Sequence, residues 1–193
     1  IFPWYSAGQP VLWWSPDPRM VLFVDELRLH RSLVKTLRRV RREGRWTIAL
    51  DQDFEATMRA CAEPRQDQDD TWITPAVVRA YGGLHRAGLA HSVEIREDGE
   101  LVAGLYGVSL GRMFFGESMF TRRTDASKCA LAALVFLLRE HGFSVIDCQQ
   151  ATAHLASLGG REIPRGVFLD RVASLTAQPP PDWSAMKLAF PEV

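Results

Sequence analysis

From His91 the sequence changes period, and that change constrains the fold more than any other feature. Upstream, apolar residues recur at helical spacing. From Ser92-Val93-Glu94-Ile95 they alternate, which sends successive side chains to opposite faces of a strand. Asp98-Gly99 is a residue pair that tolerates positive φ in a two-residue hairpin turn. Leu101–Val108 is predicted as the return strand and Arg112–Phe115 as a third. Asp125 is placed as the cap of a helix over Ala126–His141 that stops at Gly142, and Ser144–Cys148 reads as a fully apolar strand. Three meandering strands, an apolar helix and a further strand bury their faces best as an α+β fold, a mixed sheet with flanking helices.

The first 70 residues read differently. Ile1–Arg19 is crowded with aromatic residues and prolines and is expected to be extended loop. Val21–Val24 is a short strand candidate. Between Arg28 and Arg45 lie eight basic residues and one acid, with Leu29, Leu33, Leu37 and Val40 at helical spacing, so an amphipathic basic helix is predicted after Ser32. Charge then reverses: Asp51–Asp70 holds seven acids and two arginines, with a second helix over Phe54–Cys61. Thr74 before Pro75 signals a third helix, ending at Gly88. An α+β sheet domain is therefore read from about Thr71 onward, 71–193, after a stretch, 1–70, that carries the basic helix. A helix over Pro164–Leu175 precedes an irregular tail.

Composition adds exclusions. At 193 residues, 47% hydrophobic and 24% charged, the chain is ordinary globular material rather than collagen-like, disordered or disulfide-stapled. Its longest apolar run, Cys129–Leu138, is too short to cross a bilayer, and the start has no basic n-region. The spacing of Cys61, Cys129 and Cys148 suits no metal site, and reduced thiols in a cytoplasmic protein are expected. The formal net charge is zero, which taken whole argues against a nucleic-acid partner. The local imbalances argue the other way.

Four groupings carry candidate chemistry. In Val145-Ile146-Asp147-Cys148-Gln149, alternation sends Asp147 and Gln149 to one face and Ile146 and Cys148 to the other. A carboxylate and an amide at the end of an apolar strand suit a ligand site, and equally a turn cap beside a solvated amide. Phe114-Phe115-Gly116-Glu117-Ser118-Met119-Phe120 sets one acid among apolar side chains, where it needs a cation or donor, or its pKa rises. Arg122 and Arg123 are candidate partners. The arginines of the basic helix suit bidentate phosphate contact, while a solvated helix balanced by the acidic stretch accounts for the same charges. Trp4, Tyr5, Trp13, Trp14 and Trp72 suit either base stacking or interface filling. His85, His91 and His154 form no catalytic or metal-binding pattern.

Taken in order, these segments resemble the bacterial leucyl/phenylalanyl-tRNA–protein transferases. The matching stretches begin with Ile1-Phe2-Pro3-Trp4-Tyr5-Ser6, Leu12-Trp13-Trp14-Ser15-Pro16-Asp17-Pro18-Arg19 and Thr71-Trp72-Ile73-Thr74. They continue through His91-Ser92-Val93-Glu94, Gly104-Leu105-Tyr106-Gly107-Val108 and Gly116-Glu117-Ser118-Met119-Phe120. Ala126-Ser127-Lys128, Ile146-Asp147-Cys148-Gln149 and His154-Leu155-Ala156-Ser157-Leu158-Gly159 complete them. The resemblance implies transfer of leucine or phenylalanine, methionine less readily, from aminoacyl-tRNA to the N-terminal arginine or lysine of a protein, creating an N-degron signal for degradation. It also implies an acyl-CoA N-acyltransferase-like sheet after a small N-terminal domain, and a cytoplasmic monomer without metal, coenzyme or membrane.

Residue by residue, the resemblance assigns the catalytic pair to Asp147 and Gln149, with Glu117 beside the acceptor. Trp4 and Trp72 would hold the terminal adenosine. The amino-acid pocket falls on Leu105, Phe114, Met119, Leu131, Leu134 and Ile146, and phosphate contact on Lys35, Arg38, Arg39, Arg41 and Arg42. The family carries a further segment before Ile1, so the 1–70 portion is expected to be incomplete, and the stretch 42–70 runs longer than expected. Two other readings stand beside this one. One is an acetyl-CoA-dependent N-acyltransferase, against which Thr121-Arg122-Arg123-Thr124-Asp125-Ala126 lacks a Gly-rich pyrophosphate loop. The other is a non-catalytic tRNA- or protein-binding module.

Overall fold

Both residues of the Asp98-Gly99 turn take positive φ, 50° and 89°, so the strands on either side pair directly across it, Glu97 opposite Glu100. The computed structural model describes residues 1–6, 8–64 and 71–193; the end of the acidic run, 65–70, lies outside the described residues. A two-stranded hairpin, β1 (Phe2–Pro3) with β2 (Trp13–Trp14), precedes the main sheet. That sheet holds β3 (Arg19–Phe23), β4 (Trp46–Leu50), β5 (Ala90–Glu97), β6 (Glu100–Leu110), β7 (Met113–Thr121), β8 (Val145–Gln149) and β9 (Arg161–Ile163). Their order is β4-β5-β6-β7-β8-β3-β9, antiparallel except for β7 with β8. The helices are α1 (Arg31–Glu43), α2 (Phe54–Cys61), α3 (Pro75–Arg86), α4 (Ala126–Glu140), α5 (Ala153–Ser157) and α6 (Arg165–Thr176). This is the expected α+β class with a mixed sheet and flanking helices.

The core explains the layering. α4 is apolar nearly all round and is buried from Ala126 to Leu138 at most positions, as a helix must be when it has no polar face. It packs on β5, β6 and β7, and each fully buried leucine contributes about 1.5–3 kcal/mol. α1 lays Leu33, Leu37 and Val40 on the same cluster and leaves its arginines outside. On the opposite face, Tyr106 and Phe120 meet Phe54, Met58, Val77 and Tyr81 of α2 and α3. Val21, Met113 and Val145 there meet Ile163, Phe168 and Leu175. Among the described residues no helix is long and apolar enough to cross a membrane.

The differences from expectation have local causes. β4 was not anticipated: its five residues sit between charge runs and pair only as an edge strand on β5. The sheet does not part at residue 70, because β3 and β4 join the strands from 90 onward. β7 runs past Phe115 to Thr121, through a polar interruption that breaks simple alternation. Asp125 does not cap α4 with its side chain; at φ 64° its carboxylate instead accepts from Lys128 (2.8 Å) and Thr36 (3.3 Å). Thr74 does cap α3, accepting from the Val77 N–H at 3.4 Å.

Candidate active site

The parallel pair β7 and β8 is in register only at Phe114 with Ile146 and Phe115 with Asp147. Beyond those residues the strands carry distortions facing one another. Tyr106 pairs with Ser118 and Gly107 with Gly116, leaving Glu117 as the extra residue of a bulge. Met20 pairs with Gln149 and Val21 with Asp147, leaving Cys148 as the extra residue of another. A bulge bends its strand and re-aims the side chain it carries. Gln149 follows at φ 57°, outside strand geometry. Together these open a cleft of about 580 Å³ whose walls include Gly116, Glu117, Cys148 and Gln149.

All six apolar side chains assigned to the amino-acid pocket line this cleft: Leu105, Phe114, Met119, Leu131, Leu134 and Ile146. They come from β6, β7, α4 and β8, and belong to or pack against the core cluster under α4. Trp4, 40% exposed, and the partly buried Trp72 also line it, on either side of Glu63 and Cys61 in the chain. Trp13 and Trp14 are more exposed, and the Trp14 indole N–H donates to the Trp4 carbonyl at 2.9 Å.

Asp147 is withdrawn from the cleft. It is 1% exposed, and its carboxylate is gripped by the equally buried Arg19 guanidinium, Nε to Oδ1 at 2.8 Å and NH2 to Oδ2 at 2.6 Å. The Asp147 carboxylate is joined to the cleft by Gln149. Its Oδ1 accepts the Gln149 backbone N–H at 3.0 Å and its Oδ2 the Gln149 side-chain amide at 3.4 Å. With the amide nitrogen turned to Asp147, the amide oxygen of Gln149 is left for the cleft. Strand alternation had put Ile146 and Cys148 opposite Gln149; the bulge and the positive φ bring all three to the same cleft. Sequence reading missed Arg19. Its signal was a cation opening an otherwise apolar strand, which burial permits only with a partner.

Glu117 is half-buried, and neither expected arginine reaches it. Arg122 pairs with Glu63 at 2.5 Å and Arg123 with Glu97 at 2.7 Å. Its partner is the Tyr81 hydroxyl. Burial pushes the Glu117 pKa up to about 7; the Tyr81 hydrogen bond opposes this and the nearby Asp147 charge adds to it. Tyr106, packed edge-on against Tyr81 at 5.8 Å, has a buried hydroxyl with no hydrogen-bond partner among the described residues. His154 also lines the cleft, and burial together with Lys128 lowers its pKa.

Lys35, Arg38, Arg39, Arg41 and Arg42 are all exposed along α1. Two are engaged by the end of the chain: Arg38 donates to the Val193 carbonyl at 2.8 Å, and Arg41 pairs with Glu192. The basic helix therefore presents its charge outward, with its apolar side packed against α4 and β4.

A cleft of this kind can seat an apolar acyl group while polar atoms at one end meet a nucleophile, the work of an acyl-transferring enzyme. Known proteins narrow the class. The family described as "Leucyl/phenylalanyl-tRNA protein transferase" matches residues 21–173, and that family's N-terminal domain matches residues 1–17. The chain belongs to this family, and is a transferase. The leucyl/phenylalanyl-tRNA–protein transferase of Cupriavidus taiwanensis is 66% identical over 180 residues, 93% of this chain and 72% of the relative. That of Paraburkholderia phytofirmans is 61% identical, over 100% of this chain and 79% of the relative. Among solved structures, the chain is similar to a GCN5-related N-acetyltransferase from Kribbella flavida, with TM-score 0.41 and 16% identity over 77% of this chain and 55% of that one. It is similar also to a ribosomal-protein-alanine N-acetyltransferase from Brucella melitensis, with TM-score 0.41 and 15% identity over 76% and 99%.

Proposed function

We propose that this chain transfers leucine, phenylalanine and, less readily, methionine from tRNA to proteins that begin with arginine or lysine, creating a degradation signal as a cytoplasmic monomer. The observation that carries the reading is the single cleft in which six apolar side chains meet Gln149 and Glu117. Burying the amino-acid side chain there contributes about 0.8 kcal/mol per methylene. Size alone discriminates weakly, so rejection of β-branched residues falls to the shape of the walls. Met119 is flexible enough to line a pocket that takes both leucine and phenylalanine. Trp4 and Trp72 stack on the terminal adenosine, at about 1–3 kcal/mol per stacked base, and the α1 cations contact phosphates.

The aminoacyl ester is already activated, so catalysis is mostly placement. Holding amine and ester in attack geometry supplies roughly 7–11 kcal/mol. The acceptor α-amine, with a reference pKa of about 7.7–8.0, is partly deprotonated near neutrality. An amide is too weak a base to take its proton, so the Gln149 oxygen accepts an N–H hydrogen bond and aims the lone pair. The amine nitrogen bonds to the carbonyl carbon, the ester C–O bond breaks, and the amine's proton ends on the ribose hydroxyl that leaves. Ionised Glu117 meets the acceptor's positive charge.

The test offers labelled Phe-tRNA or acetyl-CoA with peptides beginning in Arg, Lys or Ala. Transfer from Phe-tRNA to the Arg and Lys peptides is expected. Acetyl transfer, or equal use of the Ala peptide, would overturn the reading. Gln149→Ala should lower kcat about 100- to 1,000-fold, the cost of losing one preorganised polar contact to the reacting centre.

A further inference from the structure

We propose that Arg19 is a positioning residue for the transfer step, acting through Asp147 on Gln149; the proposal rests on the role given to Gln149 above. A buried ion pair is a poor device for stability, since an apolar pair of similar volume often does as well or better. What this one supplies is geometry. The Arg19 fork takes one lone-pair direction on each carboxylate oxygen, at 2.8 and 2.6 Å. Each oxygen's other side is turned to Gln149: the backbone N–H at 3.0 Å on Oδ1, the side-chain amide at 3.4 Å on Oδ2. The Asp147 carboxylate is thus clamped between guanidinium and glutamine, and cannot rotate without breaking both.

Two further features make the clamp rigid and show what it holds. The guanidinium lies over the rings of Phe2 and Phe168, with its carbon 5.0 and 4.7 Å from their centres, so it has no room to swing. Gln149, a residue with a side chain, sits at φ 57°, a conformation that surrounding structure must enforce. The hydrogen bond from its backbone N–H to Asp147 enforces it. The same carboxylate sets which end of the amide faces the cleft. Arg19 therefore decides the direction of the Gln149 oxygen without touching the substrate. Lysine keeps the charge at this position but offers no planar fork.

The test is a cycle of Arg19→Lys, Gln149→Ala and the double variant, with separate kcat and KM for Phe-tRNA and an Arg-initiated peptide. Arg19→Lys is expected to lower kcat roughly 100-fold, the size of effect a misplacement of about 1 Å produces. Both KM values should stay within about twofold, because neither substrate loses a contact. In the Gln149→Ala background, Arg19→Lys should have no further effect on kcat. Retained kcat in Arg19→Lys, a change confined to KM, or multiplied effects in the double variant would each overturn the proposal. Wild-type kcat in Gln149→Ala alone would overturn the Gln149 role instead, a separate result. If thermal melts show Arg19→Lys unfolded, Phe168→Leu carries the same test with both charges in place. It should lower kcat at constant KM in the parent and not in the Gln149→Ala background; unchanged kcat would again overturn the proposal.

Discussion

Glu117→Gln removes the charge proposed to meet the acceptor while leaving the shape of the cleft nearly intact. Burial holds the Glu117 pKa at about 7, so below that pH the enzyme progressively loses the carboxylate. The acceptor amine, with a pKa of about 7.7–8.0, loses its reactive form over the same range. kcat/KM reports the free enzyme and free substrate, so wild type should fall about 100-fold from roughly pH 6 to pH 5, and Glu117→Gln only about 10-fold. The assay is transfer from pre-charged Phe-tRNA to an Arg-initiated peptide well below its KM. Equal slopes in the two proteins would refute the role. The same titration has a stability signature. Between 4.5 and about 7 the folded state keeps a proton that the unfolded chain has released, so wild-type stability falls as pH rises through that window and then levels. Glu117→Gln lacks this fall, and should gain on wild type by up to roughly 3 kcal/mol between acid and mildly basic pH. A stability difference independent of pH would show that the carboxylate is not held in a desolvated place.

Asp147→Ala leaves the Arg19 guanidinium buried without its carboxylate, and urea unfolding should show a loss of about 3–5 kcal/mol; a loss below about 1 kcal/mol would mean that the pair is not desolvated. Changing Arg38, Arg39, Arg41 and Arg42 together to glutamine should reduce the slope of log K for tRNA against log salt by about 3, the release of counterions from up to four phosphates. An unchanged slope returns α1 to a solvated helix. Gly107→Ala places a Cβ 2.4 Å from the Phe115 carbonyl and 2.5 Å from the Phe114 ring. The overpacking should cost about 1–3 kcal/mol and drive the ring toward the cleft, lowering transfer of phenylalanine more than of leucine. Equal losses for the two would separate Phe114 from substrate choice.

The parts of this molecule that were legible in sequence are those set by one element's own pattern. The Asp98-Gly99 hairpin, the apolar α4 and the Thr74-Pro75 helix start each follow from periodicity or a cap, without knowledge of neighbours. β4 escaped because five residues between charge runs become a strand only when β5 lies alongside. The directions of Glu117 and Gln149 escaped for a deeper reason. A bulge is a property of the register between two strands, and alternation along one strand cannot reveal it. Pattern singled out Asp147 and Gln149 as a ligand site or a turn cap; their catalytic role and the pocket residues came through family resemblance. Arg19 was within reach of physics alone, since a buried strand that begins with a cation demands an acid across the sheet.

The zero net charge, which as a total seemed to disfavour a polyanionic partner, also has a meaning at the cleft. Among the described residues, three carboxylates lie in or beside it. Asp147 is neutralised by Arg19 at 2.6 Å and Glu63 by Arg122 at 2.5 Å. Glu117 alone of the three has a neutral partner, the Tyr81 hydroxyl, and burial holds it near the midpoint of its titration at pH 7. From these three, a phosphate-bearing substrate of the proposed reaction meets little fixed negative charge. Among them, the cationic N-terminus proposed as acceptor meets one carboxylate not already paired with an arginine, and by its own charge favours that group's ionised form. In the proposed reaction Glu117, the acid with no arginine, is thus the one to tell the two substrates apart, and its ionisation on acceptor binding would reverse the effect of the desolvation that suppresses it beforehand.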